Sequence, residues 1–137
     1  MAKLGIKDAF AKYRAVQRNV QWSVSAWNPT GELVVSLWAH HQRPDTPGAM
    51  EFEAYANRWA GPGNKEFREN VQKAFEAQSP VRLVIARTDE VKRVEASEDA
   101  SKIKKDFAVR ADLIGKVVEW DGDRYVFRFE KDGHITQ

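Results

Sequence analysis

The chain contains no cysteine, which excludes disulfide frameworks, thiolate metal sites, iron–sulfur clusters and cysteine nucleophiles together. It has no apolar run approaching the roughly 18 residues of a membrane-spanning helix. Its N-terminus also lacks the apolar stretch and small-residue cleavage site of a secretory signal. A cytoplasmic protein without membrane partners is therefore the expectation. Charge of one sign is missing too: 22 basic residues against 20 acidic ones leave a net charge of +2, too balanced to imply a partner for the chain as a whole. Repeats, low-complexity tracts and linkers are absent, and 137 residues suit one core, so 1–137 reads as a single domain. No G-x-G-x-x-G, P-loop, G-x-S-x-G or H-E-x-x-H motif occurs.

What is present begins with a basic segment. Residues 1–20 hold Lys3, Lys7, Lys12, Arg14 and Arg18 against Asp8 alone, and Ile6, Ala9, Phe10, Tyr13 and Val16 recur at helical spacing. This predicts an amphipathic helix whose outer face, Arg14 and Arg18 included, either meets phosphate or is simply solvated. Two alternating runs, Val20 to Trp27 and Glu32 to His41, flank Asn28-Pro-Thr-Gly31 and predict a hairpin. A four-residue turn pairs Trp27 with Glu32, which puts Val20, Trp22, Val24 and Ala26 on one buried face with Leu33, Val35 and Leu37. The other face then carries Trp27, Val34, Ser36, Trp38 and His40.

The segment 42–63 is a long connection around Met50 to Trp59, which fits a helix and a strand about equally. Asn64 caps a second expected helix running to about Gln78. Val81 to Arg87 reads as a central strand covered on both faces. Ser97-Glu-Asp-Ala can start a short helix, and Lys102, Lys104 and Lys105 read as solvated surface. Phe107 to Leu113 alternates as a strand, and Val117 to Trp120 with Arg124 to Phe129 flanks Asp121-Gly122 as a final hairpin. In that register Glu119 opposes Arg124 and Val118 opposes Tyr125. The fold expected is α+β: two main helices on an antiparallel or mixed sheet of five to six strands, with a small open barrel as the alternative.

Candidate chemistry is sparse. His40 and His41 are adjacent, so on a strand they point to opposite faces and do not chelate one metal together; no metal site or cofactor is expected. Glu51 with Glu53 and Asp121 with Asp123 follow from strand alternation and turn chemistry. The five tryptophans say more, because tryptophan is difficult to bury completely. Trp22 and Trp120 lie on apolar faces, whereas Trp27, Trp38 and, beside Arg58 in the long loop, Trp59 do not. Aromatic faces near arginine and histidine suit a splayed or modified base, since stacking accepts any base and polar groups read its edge.

The runs Val20 to Trp27 and Gly31 to Trp38, followed by Gly63-Asn-Lys-Glu-Phe67, resemble small prokaryotic modules found alone or beside nuclease domains in restriction and mobile-element proteins. The resemblance implies a reader of nucleic acid, modified bases included, with Trp27, Trp38, Arg58 and Trp59 around the bound group. No catalytic motif accompanies it, so cleavage is not implied. The expectation is a non-enzymatic nucleic-acid-binding module using Trp27, Trp38, His40, Tyr55, Arg58 and Trp59, with Arg14 and Arg18 on phosphates. Its alternatives are a protein-interaction or assembly module on the same face, a homodimer included, and a small metal-dependent nuclease.

Overall fold

The computed structural model describes residues 4–44, 47–96 and 103–131. Its strands are β1 (Ser25–Trp27), β2 (Leu33–Trp38), β3 (Met50–Tyr55), β4 (Val81–Arg87), β5 (Asp106–Val109), β6 (Leu113–Trp120) and β7 (Arg124–Lys131). Its helices are α1 (Ile6–Ala11), α2 (Pro62–Ala77) and α3 (Val91–Glu95), and 3-10 turns cover Ala39–His41 and Ala56–Arg58. The fold is α+β. The seven strands form one mixed sheet in the order β1-β2-β4-β6-β7-β3, with β5 also on β4. It is open, with β1 and β3 at its ends, so the barrel alternative is not realised. No helix among the described residues is long and apolar enough to cross a membrane. The segment Ser97 to Ala100 lies outside the described residues.

β2 and β4 run parallel, Leu33 opposite Val81 and Trp38 opposite Ala86, and all other neighbours are antiparallel. Alternation along this pair feeds two cores. Leu33, Val35, Leu37, Val81 and Leu83 pack with Phe67, Val71 and Ala74 of α2, while Val34, Val84 and Ala86 pack with Ala9, Phe10 and Tyr13. β4 is thus the central, doubly covered strand that its run of β-branched residues predicts.

The first hairpin departs from expectation by one residue. Trp27 pairs with Leu33 and Ala26 with Val34, because Asn28 folds the connection into a five-residue loop. Its side-chain oxygen accepts the N–H groups of Thr30 and Glu32, and its own N–H reaches the Glu32 carbonyl. Gly31 takes the positive φ of 83° that this loop needs. Since side chains alternate with period two, the shift reverses the faces. Ala26 turns toward α1, and Trp27 turns toward α2, where its indole N–H donates to Asn70 Oδ1 at 2.9 Å. Val20 is exposed and Trp22 lies in a turn, so neither joins the expected buried face.

Other boundaries move for comparable reasons. α1 stops before Val16 because Arg14 adopts a left-handed φ of 64° and the Ala15 N–H returns to the Phe10 carbonyl. Asn64 does not cap α2, which starts at Pro62; its side chain bonds instead to the Ala56 carbonyl and to Arg68 Nε. Met50–Tyr55 is a strand, with Glu51 and Glu53 on the face where they meet Arg128, Arg124 and Arg43. In the final hairpin Asp121 accepts the N–H groups of Asp123 and Arg124, so Trp120 pairs with Tyr125. A bulge between Val117 and Glu119 leaves Val118 exposed.

Candidate functional site

Because β2 and β4 are parallel, their carboxyl ends lie side by side, the usual place for a ligand crevice in such sheets. Three connections converge there: the 3-10 turn Ala39–His41 after β2, the 3-10 turn Ala56–Arg58 before α2, and α3 after β4. The segment before β1 supplies a fourth wall. Asn19 Oδ1 accepts the Gln21 N–H, the Asn19 carbonyl accepts the Ser23 N–H, and Gln17 Nε2 donates to the Ser23 carbonyl. This turn lays the Trp22 carbonyl on α2 so closely that a Cβ at Gly63 would sit 2.2 Å from it.

Between these walls lies a cleft of about 900 Å³. Trp22, Trp38 and Trp59 line it with Arg58, Lys104 and Lys105, while Phe67 and Tyr125 face it from the core. The Trp59 and Phe67 rings are 5.9 Å apart, and Phe67 meets Tyr125 edge-on at 5.1 Å. Burial pushes the Tyr125 phenol up to about 12, so it stays neutral. Arg58 is anchored by donation from Nη1 to the Val94 carbonyl at 3.0 Å. The cleft therefore combines three indole rings with cationic side chains, a pairing that suits a flat, negatively charged group.

Beside Trp38, a short polar cluster closes this end of the sheet. His40 and His41 both reach Glu95 Oε2, at 3.4 and 3.0 Å. The His40 ring lies 5.8 Å from Trp38 and 4.5 Å from His41. Burial lowers the His41 pKa more than the Glu95 hydrogen bond raises it. Glu95 is held below the usual carboxylate range: its partial burial acts upward, and the hydrogen bonds from His41 and His40 outweigh it.

Of the residues singled out from sequence, Trp38, Arg58 and Trp59 meet in the cleft and His40 adjoins it. Trp27 is elsewhere, under α2. Tyr55 is half exposed at the end of β3, opposite Arg124, and does not line the cleft. Arg14 and Arg18 are exposed after α1 and do not line it either. Trp22, expected in the core, lines the cleft instead, and Lys104 and Lys105 line it as well, Lys104 exposed as expected. A strand extended through His40 and His41, as the alternation predicts, would set them on opposite faces. β2 in fact ends at Trp38, and the chain turns to reach β3, pairing Gln42 with Phe52. The chain matches no protein-family model, no curated protein and no solved structure.

Proposed function

We propose that the cleft binds nucleic acid by stacking a splayed base, modified or not, between its indole rings while Arg58, Lys104 and Lys105 meet the adjoining phosphates. The observation that supports this reading is the convergence of Trp22, Trp38 and Trp59 with three cationic residues in one concavity at the carboxyl ends of β2 and β4. Stacking on an aromatic face tolerates any base, and cations supply the salt-dependent share of affinity.

Trp38→Ala is the test, assayed on modified and unmodified single strands by quenching of tryptophan emission and by titration. The reading expects affinity to fall by about 1 to 3 kcal/mol, the usual cost of one lost stacking partner, while the melting temperature stays within a few degrees. Unchanged affinity, or no binding by any strand to the unaltered protein, would overturn it.

A further inference from the structure

We propose that His40, His41 and Glu95 together bind one divalent transition-metal ion beside the aromatic cleft. The inference is independent of nucleic-acid binding. Both imidazoles present Nε2 to the same carboxylate oxygen, at 3.4 and 3.0 Å, and one donor atom from each of the three residues lies within 4.8 Å of the others. An ion bonded at about 2.0–2.2 Å to each atom needs its ligands roughly 3.0 to 3.5 Å apart, which both contacts to Glu95 already satisfy.

Placement reinforces the geometry. The histidines follow β2 and the glutamate follows β4, so the parallel pairing of these strands brings together residues 54 and 55 positions apart. Adjacent histidines converge because they stand on a 3-10 turn, where successive side chains diverge by about 120° rather than the 180° of a strand. It is the one cluster of three such ligands among the described residues. Two imidazoles and a carboxylate suit zinc, cobalt, nickel or ferrous iron, and three protein ligands leave at least one coordination position open. The side-chain exposures, 8% for His41, 20% for His40 and 48% for Glu95, place that opening on the glutamate side, toward solvent.

The test uses the full chain, stripped with a chelator and titrated with Zn²⁺ by calorimetry and with Co²⁺ by visible absorption. One equivalent should bind, and His40→Ala, His41→Ala and Glu95→Gln should each weaken binding at least tenfold, since even residues that only support a metal ligand are worth 10- to 100-fold. Should His41→Ala fail to fold, the more exposed His40 and Glu95 carry the test. Less than one equivalent bound, or Zn²⁺ affinity retained in His40→Ala and Glu95→Gln, would overturn the assignment and leave a carboxylate hydrogen-bonded by two imidazoles.

Discussion

The Tyr13 hydroxyl donates a hydrogen bond to the Leu83 carbonyl at 2.8 Å, and the same oxygen accepts the Arg110 N–H at 3.2 Å. This phenol stands where the sheet partner of β4 changes. Val84 pairs with Val109 and Val81 with Gly115, so three steps along β4 face six along the other chain. The surplus residues cannot pair with β4, and Tyr13 takes the place of a strand neighbour.

Tyr13→Phe keeps the ring and removes the hydroxyl. Two backbone groups then lose their partner, and stability should fall by about 1 to 3 kcal/mol in urea unfolding. A change below a few tenths of a kcal/mol would mean that water replaces the hydroxyl at no cost.

Gly63→Ala should also destabilise, through overlap rather than loss. The added Cβ would meet the Trp22 carbonyl at 2.2 Å and lie 3.6 Å from the Trp59 ring. Overpacking of this kind costs about 1 to 3 kcal/mol. Displacement of the Trp22 turn should also shift the tryptophan emission spectrum, and a variant that melts and emits like the parent would contradict the close contact.

Trp27→Phe separates the helix-bound indole from those of the cleft. It removes the hydrogen bond to Asn70, which also holds the Ser25 hydroxyl, so about 1 kcal/mol of stability should be lost. Oligonucleotide affinity should stay within twofold of the parent, in contrast to Trp38→Ala. Equal losses of affinity in both variants would place Trp27 at the ligand after all.

Lys104→Gln addresses the proposed phosphate contacts. If Lys104 meets one phosphate, the slope of log affinity against log salt should shrink by roughly one unit, with a similar loss for every sequence tested. The same exchange at Arg14 and Arg18, which lie outside the cleft, should leave the slope unchanged.

Acid should weaken the contact between Glu32 and Arg82. Partial burial acts to raise the Glu32 pKa, but hydrogen bonds from Asn28 and Arg82 outweigh it and hold the carboxyl below its ordinary value. With the folded value below the unfolded one, the stabilisation is fully present above the unfolded pKa of about 4.3 and is lost as pH falls through the folded value. Glu32→Gln should therefore cost about 1 to 3 kcal/mol at pH 7 and flatten the acid side of the stability profile. A profile identical to that of the parent would remove this pair from the account.

How far the sequence could be read depended on where side chains compete with backbone. Val81–Arg87 was legible because its apolar run admits little besides a covered strand, and Phe67, Val71 and Ala74 marked α2 by spacing alone. The first hairpin was not, since the Asn28 amide decides between a four- and a five-residue connection, and that choice sends Trp27 and Trp38 to opposite faces. Half of the cleft was legible as aromatic residues near Arg58. The other half comes from residues that tertiary packing brings in: Trp22 through the turn that rests on Gly63 of α2, and Lys104 and Lys105 through the pairing of β5 with β4.

The parallel pairing of β2 with β4 has a kinetic consequence. Leu33 must find Val81 across 48 residues, whereas β6 and β7 meet through a tight turn with Trp120 opposite Tyr125. Closing the longer loop costs more entropy before any contact rewards it, so the β6–β7 hairpin should be structured in the folding transition state and the β2–β4 seam should close afterwards. Truncating Val117 or Phe127 to alanine should slow folding, and truncating Leu33 or Val81 should mainly speed unfolding. The cleft end of the molecule would then be the last part assembled, and a refolding chain would hold its β6–β7 hairpin before the walls of the cleft come together.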